Sequence, residues 1–176
     1  MPLKATAIPA LPRVDGPAAR LLPMATALAA TVISIQPIHV RGYAALTPAF
    51  TLMVVYHWTI YRPDLLPPLA LFLVGVTQDL LAGAPLGMSA LLLLLARAMV
   101  RRHRSHFVNQ SFPFVWAGFT LLTGSAMLLL WFVHSLLDGA LLDFRSTVFR
   151  AVATISLFPL ASFLLGRTQR ALMGAG

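Results

Sequence analysis

Residues Leu65–Val100 read LLPPLALFLVGVTQDLLAGAPLGMSALLLLLARAMV, and this stretch decides the fold. Between Asp64 and Arg97 its one charged residue is Asp79. A bilayer core is crossed by about 20 apolar residues, so the stretch is too long for one span and long enough for two. Gly83, Pro85 and Gly87 mark the break. Glycine reaches backbone angles closed to other residues, and proline cannot continue a helix from the preceding turn. The pattern predicts two antiparallel membrane helices, about 65–82 and 86–100, with a very short turn between them. Asp79 lies about one helical turn before that break.

A carboxylate there faces the negative end of its own helix dipole and carries a desolvation cost near the edge of a bilayer. Two readings account for it. Asp79 accepts hydrogen bonds from backbone N–H groups of the Gly83–Gly87 turn, or it contacts another protein, an ion or a substrate.

Working outward, composition sets the class. Of 176 residues, 59% are hydrophobic and 10% charged, against about 25% charged in soluble domains. The expectation is an all-α, polytopic membrane protein with about six transmembrane helices in one domain, residues 21–170, behind a flexible cytoplasmic tail, residues 1–20. Cysteine is absent, which excludes disulfides, thiol catalysis and Cys-bound metal.

The six spans fall at about 21–38, 44–61, 65–82, 86–100, 112–136 and 148–166. The first is longer than the apolar region of a typical signal peptide, and a retained helix is expected. For the second, Thr47-Pro48 has the form of an N-cap followed by proline at the first helical position. Tyr43 at one end, with Tyr56, Trp58 and Tyr61 at the other, matches aromatic belts at the two interfaces. His57 reads as a packed, hydrogen-bonded side chain. Asp64 is placed to cap the third helix. Arg97 is one turn from Arg101 and can snorkel to the headgroups; an Asp79–Arg97 ion pair is not expected, because the two sit near opposite faces of the membrane. Gly118 and Gly124 are small residues that permit close helix packing. Pro159 is expected to kink the last span.

Net charge is +8, and its distribution accounts for it. With the N-terminus inside, Lys4, Arg13, Arg20, Arg62, Arg97, Arg101, Arg102, Arg104, Arg167 and Arg170 are cytoplasmic, whereas Arg41, Arg145 and Arg150 are outside. Ten against three follows the positive-inside rule, puts both termini in the cytoplasm, and leaves nothing for a nucleic-acid partner to explain. Arg101, Arg102 and Arg104 form the cytoplasmic basic loop, read as topology plus attraction to anionic lipid of the bilayer, with docking of a cytoplasmic partner as the second reading.

Catalytic equipment is not visible. The five acids are scattered aspartates; there is no P-loop and no nucleophile elbow. His103 and His106 lack a nearby acid or cysteine, and no metal or cofactor is expected. The spans also lack an evident polar route for a solute.

The central segment takes the reading further. It carries Pro48, Val55-Tyr56-His57-Trp58, Arg62-Pro63 and the pattern G-x3-D-L-L-x-G-x-P-L-G, which falls on Gly75, Asp79, Gly83, Pro85 and Gly87. Over residues 45–100 this resembles the MreD family of rod shape-determining proteins. The family often has Leu, Ile or Gly before the aspartate and His after the last glycine; here stand Thr77-Gln78 and Met88-Ser89. The resemblance implies a non-enzymatic, multi-pass component of the bacterial inner membrane and of the cell-elongation machinery. That machinery contains an MreC-like protein, the actin-like MreB, a RodA-like glycosyltransferase and a class B penicillin-binding protein, and it directs side-wall peptidoglycan synthesis. The resemblance also implies a fold like that of the substrate-binding subunits of ECF-type vitamin transporters, and a subunit of such a transporter is the alternative function. No catalytic residue is carried over; only the five motif positions are.

Overall fold

The computed structural model describes residues 17–35, 48–104, 107, 110–139 and 143–173. Among them the fold is all-helical. The six α-helices are α1 (Pro17–Ile35), α2 (Phe50–Tyr61), α3 (Pro68–Ala82), α4 (Met88–Arg102), α5 (Phe112–Asp138) and α6 (Phe144–Met173), with a 3₁₀ turn at Pro63–Leu65 between α2 and α3.

The centre is α2, FTLMVVYHWTIY, in which every residue from Thr51 to Ile60 is buried. Its sequence is apolar on all sides, and a helix of that kind is stable only when surrounded. Helices α1, α4 and α6 surround it. With 12 residues, it is about 18 Å long at 1.5 Å per residue, well short of a bilayer core of about 30 Å.

Both ends of α2 are closed by side chains distant in the sequence. At the start, the Ala49 N–H donates to Thr154 Oγ1 of α6 at 3.1 Å. The local cap expected from Thr47-Pro48 is replaced by this contact: Pro48 lies two residues before the first helical residue, and Thr47 is outside the described residues. At the other end, Arg104 Nε donates to the Ile60 carbonyl at 2.8 Å. Arg97 Nε donates to the carbonyl of Leu66, just past the 3₁₀ turn, at 2.9 Å. Cations belong at a helix C-terminus, where carbonyls lack partners and the dipole is negative. Arg97 therefore does not snorkel; it is buried. Its position was legible in part, because Ala90, Leu93, Arg97 and Val100 recur at helical spacing on the buried face of α4.

The side chains of α2 anchor the bundle. Tyr56 donates to the Val115 carbonyl of α5 at 2.8 Å. Its ring meets Phe119 edge-on at 5.1 Å and Phe158 at 5.6 Å, and those two rings stack at 4.0 Å. Trp58 Nε1 donates to Thr26 Oγ1 of α1 at 3.1 Å. Tyr56 and Trp58 are each 1% exposed; they are core residues, not members of an interfacial belt. Tyr43 is outside the described residues. His57 packs against Tyr61 and lies 3.4 Å from Ser162 Oγ.

Several element boundaries differ from the sequence reading. Residues 17–20 are helical, and residues 1–16 of the expected tail are outside the described residues. Asp64 belongs to the 3₁₀ turn, and α3 starts at Pro68 with Pro67 in the cap position, without a side-chain cap. Helix α4 starts at Met88, two residues later than expected, and α6 runs well past both ends of 148–166.

Helices α5 and α6 hold 27 and 30 residues. Within them Phe112–Leu137 and Phe144–Thr168 are long and apolar enough to cross a membrane. Their large apolar side chains face outward, among them Leu121, Phe132, Leu136, Leu160 and Phe163. A soluble monomer rarely exposes contiguous apolar surface on this scale. Pro159 sits inside the continuous α6. Having no N–H, it frees the carbonyl four residues back, and Trp116 Nε1 of α5 donates to that carbonyl, Ile155 O, at 3.1 Å.

Candidate functional site

The five motif positions meet in the α3–α4 hairpin. At its waist, Gly75 faces Ala90. A Cβ built on Gly75 would lie 2.3 Å from the Ala90 Cα and 2.5 Å from its N. The two backbones approach too closely for any side chain, the arrangement small residues permit between membrane helices.

Two turns further, α3 ends at Gly83 in the left-handed conformation, with φ +63°. The main-chain carbonyl of Asp79 accepts the N–H of Gly83 and, at 3.0 Å, the N–H of Ala84. The Ala84 bond is the 6→1 bond of a Schellman motif, and the Gly83 bond is the 5→1 bond of the simpler left-handed cap. The chain then passes Pro85, whose carbonyl accepts the Met88 N–H, and reaches Gly87 at φ +92°. A Cβ on Gly83 or Gly87 would meet nothing within 4 Å. These two glycines are needed for their backbone angles, whereas Gly75 is needed for space.

The Asp79 side chain crosses to the other side of the turn. Its Oδ2 accepts the Gly87 N–H at 2.8 Å, and its Oδ1 accepts the Ser89 N–H at 3.0 Å. The residue is fully buried. Gly87 is the N-cap position of α4, so the carboxylate caps that helix from outside its own sequence. The electrostatics thereby reverse. Asp79 is badly placed for the dipole of α3 and well placed for α4, whose N-terminus presents orphan N–H groups and positive potential. Carbonyl and carboxylate together make Asp79 the acceptor for four N–H groups, two on each side of the turn.

Of the two readings the sequence left open for Asp79, the contact with the turn is the one observed, with Ser89 as an unforeseen second donor; Gly75 was foreseen without Ala90. The nearest available signal for Ser89 was its place in the first turn of α4, where free N–H groups are expected.

With both oxygens occupied by backbone donors, the carboxylate is not presented to an outside ligand. What the turn does present is apolar: Leu80, Leu81 and Leu86 are 64%, 54% and 68% exposed. The hairpin is thus a rigid, self-satisfied unit with a leucine collar. Such a unit suits contact with lipid or another protein, because in hydrocarbon every backbone polar group needs an internal partner.

The basic loop does not act as one patch. Arg101 and Arg102 are exposed at the end of α4, while Arg104 is half-buried and committed to Ile60. His106 and Ser105 are outside the described residues. Of the two small residues expected at contacts, Gly118 packs against Phe107 and the Tyr56 hydroxyl, whereas Gly124 has open space around it.

The profile of the family described as rod shape-determining protein MreD matches residues 18–168. No curated protein and no solved structure matches the chain significantly. The family match reaches all six helices and covers the Gly75–Gly87 segment. The chain belongs to the rod shape-determining protein MreD family.

Proposed function

We propose that this chain is a non-catalytic scaffold of the inner membrane that helps organise side-wall peptidoglycan synthesis during cell elongation. Membership of the MreD family implies a role in rod-shape determination. The observation that carries the scaffold reading is the state of Asp79. The acid most exposed to functional suspicion has both oxygens bound by backbone donors. It stiffens a hairpin whose outward face is leucine.

In this reading the six helices form one multi-pass domain with both termini in the cytoplasm, as the ten-to-three charge distribution favours. The α3–α4 turn then lies toward the outer face. Helices α3 and α4 have 15 residues each, or about 22 Å, so the turn sits no higher than the outer edge of the hydrocarbon. An outer partner must therefore itself approach the membrane. An MreC-like protein with one span and a periplasmic body fits that geometry, and through it a RodA-like glycosyltransferase and a class B penicillin-binding protein would be gathered.

Depletion in a rod-shaped host is expected to make cells round and swell, and the protein should co-purify with an MreC-like partner from mild detergent. Normal rods after complete depletion, together with saturable uptake of a small vitamin dependent on this chain, would overturn the scaffold reading. Topology is tested separately. The chain has no cysteine, so single-cysteine variants need no background removal. Ala84→Cys should react with an impermeant thiol reagent from outside, and Ser105→Cys only after the membrane is opened. The reverse labelling pattern would refute the proposed orientation.

A further inference from the structure

Helices α4 and α5 are neighbours that scarcely touch. Between them runs a cleft of about 300 Å³ whose lining includes Tyr56, Met99, His103, Phe107, Phe114 and Leu121, with Gly118 also in its wall. Its two polar side chains are the Tyr56 hydroxyl, which donates to the Val115 carbonyl, and the His103 ring, whose Nδ1 lies 3.0 Å from the Met99 carbonyl; the rest of the wall is apolar. It opens sideways: Leu121 is 69% and Met99 46% exposed. At the same end, the last turn of α4 carries Arg101 and Arg102, both exposed. Arg102 lies three residues beyond Met99, hence on the flank of the cleft.

We propose that the α4–α5 cleft holds an acyl chain of an anionic phospholipid from the cytoplasmic leaflet, with its phosphate at Arg102 and the neighbouring Arg101 adding positive charge. The apolar slot suits a chain without polar atoms, and the cations at its mouth require an anion at the chain's end. Basic pockets between membrane helices on the cytoplasmic side are a recurrent setting for such headgroups. A helix does not fit as well, because it is about 10–12 Å across with its side chains and needs more room than about 300 Å³. The choice of leaflet rests on the proposed orientation; the binding itself does not.

The test uses the full chain purified in mild detergent, with native mass spectrometry of retained lipid. Phosphatidylglycerol should be retained over phosphatidylcholine of the same chain length. Arg101→Gln/Arg102→Gln should lower retention of phosphatidylglycerol by about 30-fold, two cations at about 1 kcal/mol each, and lower that of phosphatidylcholine, whose phosphate is offset by its choline, by much less. Leu121→Trp, at the mouth of the cleft, should reduce retention of both lipids. Equal retention of the two lipids by the native chain, or an undiminished preference in the double arginine variant, would overturn the proposal. So would a photo-crosslinker at position 121 that captures a protein in cells in place of lipid; that result would make the cleft a partner groove. Retention is read on the purified chain and does not depend on cell shape. The thiol-labelling pattern fixes the leaflet independently, so failure here and failure of the scaffold reading are distinguishable.

Discussion

Asp79→Leu is expected to lower the amount of protein in the membrane several-fold. The substitution leaves the N–H groups of Gly87 and Ser89 without their acceptor. A hydrogen bond to a charged group contributes about 1.5–3 kcal/mol, and an unsatisfied buried donor costs about 1–3 kcal/mol. For two bonds the loss is on the order of 3–5 kcal/mol, a large share of the 5–15 kcal/mol that holds a typical domain folded. Losses of that size appear as lower abundance, because the unfolded fraction is removed by proteolysis. Asp79→Asn keeps one oxygen acceptor and forfeits the charge, so its loss should be about 1–2 kcal/mol. The measurement is the protein level in the membrane fraction together with thermal stability in detergent, and the expected order is native, then Asp79→Asn, then Asp79→Leu. Both variants accumulating at native levels and melting like the native chain, yet failing to support rod shape, would show that the carboxylate acts through an outside contact and not through the turn.

Gly75→Ala is expected to be nearly as damaging, for a steric reason. The added Cβ would lie 2.3 Å from the Cα and 2.5 Å from the N of Ala90. Those are backbone atoms, which no side-chain rotation can move. Helices α3 and α4 would have to separate, and forced separation of a packed contact costs about 1–3 kcal/mol. Gly75→Val should cost more than Gly75→Ala. The diagnostic variant is Gly75→Ala/Ala90→Gly. Removing the Ala90 Cβ relieves only the 2.8 Å contact and leaves both backbone clashes, so thermal stability should not recover. Full recovery in the double variant would mean that the two residues meet through side chains, and that close backbone approach is not what the glycine provides.

These two positions show where the sequence was readable. The turn was legible because its signals are local: glycines that reach left-handed angles, a proline that stops a helix, and one acid a turn away. A backbone N–H without a partner can be anticipated wherever a helix starts or stops, and Asp79 was the acceptor at hand. Arg97 was misread, although the helical spacing of Ala90, Leu93 and Val100 placed it on the buried face of α4. A charge at a span's end was assumed to seek the headgroups. In the fold, the arginine meets a carbonyl at Leu66, across the hairpin from α4.

The membrane class, the helical content, the tight α3–α4 turn and the motif of the family were legible in the sequence, which left two readings open for Asp79. The legible features follow from composition, period and backbone angles within a few residues. Only the tertiary structure decided that the short α2 is the centre and that Tyr56 and Trp58 are core. It also decided that Thr154 and Arg104 close the two ends of α2, and that Gly75 packs while Gly124 does not. The reason is distance along the chain. Ala49 and Thr154 are 105 residues apart, and Ile60 and Arg104 are 44 apart. Orphan N–H and carbonyl groups state only that a partner is needed. Which side chain supplies it depends on how helices distant in sequence cross, and no local pattern encodes that crossing.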